Sequence, residues 1–336
     1  MATSEQIADS LLRHTVLIDG FSNREERKIK QLLVAARSDV RKQIASILLE
    51  LYGDSPRPQG LKLTRLRKLE KAIDERLDSF EKDALSASSS SMQRFAVTES
   101  AFYKDLLFSG VGTGVPPNKV LREIVDSKPF QGKLLKEWYS HLSDVQKDRV
   151  KTAIRMGVVQ GESVPQVVRR VRQTFDITER QAAAIVRTSI NHVTTQSKNA
   201  LFQENAELLR GVQMLATLDS RTTPYCRAID LKIFPVNEGP RPPFHFGCRT
   251  TIVPIIRGRT EAFETRSSKD GYVDGSLNYK QWFKRQSAGF QREVLGPSRY
   301  KLFSRGLTDV TRYANREGRL YTLDELYKRE AQYAPK

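Results

Sequence analysis

The stretch from Ala216 to Pro254 limits what this chain can become more than any other. Proline lacks an amide donor and its ring clashes with the preceding turn, so a segment with Pro240, Pro242 and Pro243 packed together cannot be a long helix. It must be rich in loops and held by something other than regular backbone ladders. Both cysteines of the chain, Cys226 and Cys248, fall inside it, and so does His245.

Those three side chains suggest one answer to what holds the loop. His-Phe-Gly-Cys places the imidazole of His245 and the thiol of Cys248 three positions apart, with Gly247 free to take a positive φ between them. That spacing suits one tetrahedral zinc ion gripped from a tight turn, with Cys226 closing the site from Thr-Pro-Tyr-Cys. Asp219, Asp230 or a water could supply the fourth ligand. Paired C-x-x-C knuckles are absent, so two other readings stay open: buried free thiols beside a hydrogen-bonded His245, or a Cys226–Cys248 disulfide. Asp219-Ser220-Arg221-Thr222 carries a separate logic. The aspartate can cap turn amides, and Arg221 or Arg249 can grip a carboxylate with two bonds. Pinning of the loop is the expectation there, rather than catalysis.

At these residues the chain resembles the phage Mu F-like, or phage head morphogenesis, family of minor head proteins. In that family a helix carries Arg-Thr-Glu, followed by a strand, Thr-x-Asp-x-Arg-Thr-x-x-x-Cys, and then Pro-Pro-x-His-x-x-Cys-Arg. Here the counterparts are Arg187-Thr188-Ser189, then Thr217 to Cys226 with Asp219, Arg221 and Thr222, then Pro242 to Arg249. The sequence departs from the pattern at Ser189, at Asp230-Leu231 in place of Asp-Gly, and at Thr250 where a cysteine is frequent. The last departure removes one possible metal ligand. A weaker resemblance to the tail of such proteins lies in Tyr279 to Gln286 and Leu295 to Arg299.

Charge and length frame the rest. The chain has 336 residues and a formal net charge of +17, which favours an acidic partner: DNA, RNA or an anionic protein surface. Aromatic residues make up 8% and few stand beside basic runs, so contact with phosphates through charge is expected over base stacking. Two cysteines in this length point to a reducing compartment. The sequence shows neither a bilayer-spanning apolar run nor an export signal, so synthesis and use in a cytoplasm, or in a particle assembled there, is expected.

Taken in order, the chain is expected to be α+β and mostly helical: an N-terminal helical arm (1–115), a central helical domain with a small sheet and the Cys/His loop (116–257), and a helical tail (258–336). A short amphipathic piece around Ile7, Leu11 and Leu12 ends near Gly20, and Ser22 to Glu25 forms a capping box for a helix running to Gly53. Leu66 to Ala84 repeat at alternating steps of three and four, an antiparallel seam. Ser86 to Ser91 suggest a linker or frayed hinge, and Gly110 to Gly114 a turn that lacks the Gly-Lys-Ser/Thr ending of a phosphate loop. Ser163 caps one helix, and Thr178 with Gln181 forms a capping box for the next. Strands are expected at 211–218, 231–236 and 250–256, then a polar connector through Gly275. In the tail Ser287 starts a helix that stops at Gly296, Gly306 and Gly318 are C-caps, and Thr322 with Glu325 begins the last helix.

The resemblance implies a non-enzymatic minor head protein of a tailed phage, acting in head assembly at the portal or inner capsid, with possible parts in DNA packaging or ejection. It implies a portal or major capsid protein as partner, double-stranded viral DNA met by charge, no membrane contact while in the head, and residence inside the virion after assembly in the host cytoplasm. The alternatives are a zinc-supported nuclease with His245 as general base, or a DNA-binding protein. A nuclease needs more than one histidine near its metal, and no helix-turn-helix or zinc-finger spacing is evident.

Overall fold

The computed structural model describes residues 4–52, 63–108, 113–258, 265–315 and 319–331. The protein is an α+β molecule dominated by helix, as expected, with one small antiparallel sheet and one β-hairpin among the described residues. Its contacts divide it into two compact units. One comprises 17–97 and 119–193; the other comprises 1–16, 98–118 and 194–336. Three long helices, α1 (Ser4–Tyr52), α2 (Leu63–Leu107) and α5 (Val164–Glu204), contribute residues to both.

The first unit is a bundle. On α1, Ile29, Leu33, Ala36, Val40, Ile44 and Leu48 are buried at steps of three and four, the stripe a core-facing helix needs. On α2, Leu69, Ile73, Leu77, Phe80 and Ala84 do the same. With α3 (Asn118–Ser127) and α4 (Leu135–Val159) these stripes close one interior. Crossing ion pairs give the direction of packing. Glu70, Asp74 and Asp78 of α2 meet Arg155, Lys151 and Lys147 of α4, so the two helices run antiparallel.

Three local expectations fail here, two of them for a tertiary reason. The serine run is neither linker nor hinge: it lies inside α2, where Ser88 and Ser91 are buried. They extend the apolar seam by one more turn each, and Ser88 shares a 2.6 Å hydrogen bond with the buried Tyr139 hydroxyl. Ser22 to Glu25 does not start a helix, because α1 passes straight through it; Glu25 is buried and takes Lys28 Nζ at 2.6 Å. Thr178 and Gln181 likewise sit within α5, where Thr178 bonds Gln146 across to α4 and Gln181 accepts from Arg149 at 2.8 Å.

The second unit holds the sheet. Strand β1 (Leu209–Leu215) lies between β2 (Ile233–Phe234) and β3 (Thr251–Ile256), antiparallel to both. Val212, Met214 and Ile252 turn one face onto Tyr103 of α2 and Leu201 and Phe202 of α5. Gly211 is required by proximity: a Cβ there would lie 2.6 Å from the backbone oxygen of Phe234. Helix α6 (Pro224–Ile229) falls between β1 and β2. The expected polar connector holds a hairpin, β4 (Thr265–Ser268) with β5 (Gly271–Asp274). Then α7 (Tyr279–Lys284), α8 (Ala288–Ser304) and α9 (Leu323–Ala331) enclose a second core around Trp282, Phe283, Leu302 and Tyr313. Ser287 caps α8, Gly296 at φ 72° breaks its geometry ahead of Pro297, and Gly306 at φ 71° follows its end. Thr322 and Glu325 exchange the two bonds of a capping box. Gly318, Gly110 and Gly112 lie outside the described residues.

Because backbone cannot move aside as a flexible side chain can, Gly211→Ala should separate β1 from β2 and lower stability by roughly 1–3 kcal/mol, measured by urea unfolding. The neighbouring exposed change Arg210→Ala should have little effect.

Candidate functional site

The proline-rich loop is held by three arginines, each satisfied in a different way. Arg241 is the spool around which it winds. Its guanidinium donates to the carbonyls of Pro235, Val236, Glu238 and Pro240 and to Asn199 Oδ1, all within 2.8–3.0 Å. Proline-rich turns leave carbonyls without ladder partners, and a five-donor fork can serve several at once. Arg249 closes a second tie. Its two terminal nitrogens grip both oxygens of Asp219 at 2.6 and 2.7 Å, while Asp219 Oδ1 also accepts the Arg221 amide at 3.0 Å and the Thr222 hydroxyl at 3.2 Å. Burial works against the charge on Asp219, but these donors outweigh it and hold its carboxyl below the ordinary value.

The third tie is buried outright. Arg266 of β4 donates to both oxygens of Asp230, at 2.8 and 2.9 Å, with side-chain exposures of 2% and 0%. The same carboxylate accepts the amides of Ala216 at 2.9 Å and Tyr279 at 2.7 Å, and Arg266 also reaches the carbonyls of Ala216 and Leu277. One ion pair thus joins the end of β1, the end of α6, the hairpin and the start of α7. Arg227 of α6, also buried, donates to the Thr222 carbonyl at 2.7 Å and lies 5.1 Å over the Tyr279 ring. Burial lowers its pKa and pushes Tyr279 up to about 12, while the Tyr279 hydroxyl donates to the Asp219 carbonyl at 2.8 Å.

Against this frame stand the three candidate ligands. Cys226 and Cys248 are free and buried, with Sγ atoms 3.9 Å apart, and Cys226 Sγ lies 3.5 Å from His245 Nε2. A disulfide bond needs about 2.05 Å, so the disulfide reading is overturned for this state. A tetrahedral zinc with bonds of about 2.3 Å to sulfur and about 2.05 Å to nitrogen sets edges of roughly 3.8 Å between sulfurs and roughly 3.6 Å from sulfur to nitrogen. The two edges from Cys226 match those values, and all three ligand atoms lie within 4.8 Å of one another. His245 Nδ1 is 2.9 Å from the Phe246 carbonyl; donation there leaves the Nε2 lone pair facing the sulfurs, the second-shell arrangement of a metal-binding histidine. Gly247 at φ 69° makes the turn that returns Cys248 to the cluster. The hydrogen bond from Cys226, with help from His245, holds the Cys248 thiol below its ordinary value despite burial, and Cys226 is pushed up correspondingly.

The fourth-ligand candidates are otherwise occupied. Both oxygens of Asp230 belong to Arg266 and two amides, and both oxygens of Asp219 belong to Arg249. Thr217, Thr223, Arg221 and Arg249 line a cavity of about 10 Å³ beside the cluster, close to the room one water needs. Of the residues singled out from the sequence, Asp219, Arg221, Thr222, Arg249, Cys226, His245 and Cys248 come together. Arg187 and Thr188 fall in the other unit: Arg187 binds both oxygens of Glu26, and Thr188 is buried with its hydroxyl on the Ala184 carbonyl at 2.7 Å. The sequence reading missed Arg227, Arg241 and Arg266. An arginine lodged among three prolines was a usable signal for Arg241; nothing local distinguished Arg266 from its neighbours.

Fold and site together define a mostly helical α+β protein organised around a Cys-His-Cys loop. Residues 148–253 match the family model described as Phage Mu protein F like protein, in agreement with the resemblance seen in the sequence. No curated protein and no solved structure matches the chain. Among the described residues no helix is long and apolar enough to cross a membrane.

Removing one partner of a fully buried pair strands the other charge. Arg266→Leu should therefore cost about 3–5 kcal/mol in urea unfolding, against about 0.5–1 kcal/mol for Arg249→Gln at the more exposed fork. A carboxyl held below its ordinary value stabilises the fold fully above the unfolded value, and this is lost as pH falls through the lower folded value. The stability gap between the Arg249→Gln variant and the parent should accordingly be widest near neutrality and shrink below about pH 4.

Proposed function

We propose that the protein is a structural component of a tailed-phage head, acting in head assembly at the portal or inner capsid, and that its Cys-His-Cys loop is a zinc clasp. The family match over 148–253 carries the first part. The second rests on the two edges from Cys226, which agree with those of a zinc tetrahedron, and on the closeness of all three ligand atoms. Cys226, His245 and Cys248 would hold the metal, which would fix α6 to the turn at Gly247. The nearby carboxylates are locked into arginine forks, so neither is free to serve as a base, and this supports a structural clasp over the nuclease alternative. Residence inside the virion follows from the same reading, and a charge of +17 suits a place beside packaged double-stranded DNA, with roles in packaging or ejection.

Purified heads should contain the chain by mass spectrometry, and particles made in its absence should be reduced in number or misassembled. Heads that lack the chain at every stage would contradict the assembly role. Purified protein should carry about one zinc per chain by elemental analysis, and Cys248→Ser should lose most of it. A chelator should lower the melting temperature of the parent but barely move that of the variant. Stable protein without zinc, indifferent to added zinc, would remove the clasp.

A further inference from the structure

The seam between α1 and α5 changes character along its length. At one end opposite charges face each other: Glu26 with Arg187, and Lys30 with Glu179. Further along, Arg37 meets the exposed Asp176 only at 3.6 Å. Beyond that point arginine faces arginine. Arg41 of α1 and Arg169 and Arg172 of α5 line one groove with Arg37, and Arg41, Arg169 and Arg172 have no ion pair or hydrogen bond among the described residues. Acids close in sequence are committed elsewhere, Asp39 to Arg76 and Glu162 to Arg170. Four guanidiniums around one groove repel each other, and among the described residues they meet a single weak counter-charge, Asp176. The groove encloses about 560 Å³. Its floor is apolar, made by Val34, Ile44, Pro165, Val168 and Val171, with Val34 39% exposed.

We propose that this groove receives an acidic amphipathic helix of a partner protein, its apolar stripe on the valine floor and its carboxylates on the arginine rims. From Val34 to Ile44 the floor runs about 15 Å, roughly three helical turns, and the arginine spacings, four on the α1 rim and three on the α5 rim, match the carboxylate spacing of such a helix. Arginine is the cation suited to bidentate carboxylate contact at an interface. A nucleic acid duplex is wider than the roughly 8–10 Å between packed helix axes, so it would touch the rims and leave the floor uncovered. A second copy of this chain, itself at +17, is a poor electrostatic match. The groove shares no residue with the zinc clasp, and the proposal holds or fails independently of the clasp and of the head-assembly reading.

The test uses full-length protein and a synthetic helical peptide of about four turns with leucine along one stripe and glutamate on both sides of it. The controls are the same peptide with glutamine for glutamate, and a short DNA duplex. The glutamate peptide should bind with a salt-sensitive affinity at least about tenfold above the glutamine peptide. Arg41→Gln/Arg169→Gln/Arg172→Gln should lose about tenfold or more while melting no lower than the parent, because neutralising it relieves repulsion. Val34→Asp should also weaken binding. Equal affinity for the two peptides, or an unchanged triple variant, overturns the proposal. So does duplex binding that the triple variant loses and Val34→Asp retains, which would make the groove a phosphate site.

Discussion

The carboxylate of Asp230, sunk in the protein and filled on every side, is the point on which the second unit depends. Arg266 supplies the opposing charge, and the amides of Ala216 and Tyr279 supply the remaining donors. A charge removed from water is tolerated only when it is paired and fully hydrogen-bonded. Meeting that requirement brings together four pieces of chain remote in sequence: the exit of β1, the end of α6, the hairpin and the entry to α7. The same pair sets where the Cys/His loop begins, since Cys226 lies on the helix that Asp230 terminates.

From that fixed point the loop is built outward by decreasing burial. Arg227 and Tyr279 carry the order to the Asp219 turn, Arg249 closes that turn against the segment leading into β3, and Arg241 satisfies the carbonyls that the prolines leave exposed. The cluster of Cys226, His245 and Cys248 is the product of this scaffold: its spacing is set by backbone that other residues hold. A site assembled this way suits fastening. Its carboxylates are spent on arginines, and the cavity beside it has room for about one water.

Much of this was legible in the sequence wherever the signal was local and repeated. The buried stripes on α1 and α2, the three strands, the cap at Ser287 and the Thr222–Asp219 turn all follow from periodicity or turn chemistry. Two of the failures share one cause. Thr178, Gln181 and the serines of α2 have good capping or breaking chemistry, yet long helices pass through them because a neighbouring helix supplies Gln146, Arg149 or Tyr139 as a partner. Tertiary contact overrode local preference. The Asp230–Arg266 pair was hidden for a related reason: thirty-six residues separate its members, and Arg266 sits among polar residues that suggested solvent. Asp230 stood out only as a spare metal ligand, a role its four bonds leave no room for.

The central claim is that the loop is stabilised as one piece with the sheet through the buried pair, and native-state hydrogen exchange tests it most directly. The amides of Ala216 and Tyr279, both bonded to Asp230, should exchange as slowly as those of β1 and β3, opening only when the whole unit unfolds. If those two amides exchange orders of magnitude faster than the strands do, the pair does not hold the loop, and the account of the site built upon it is wrong.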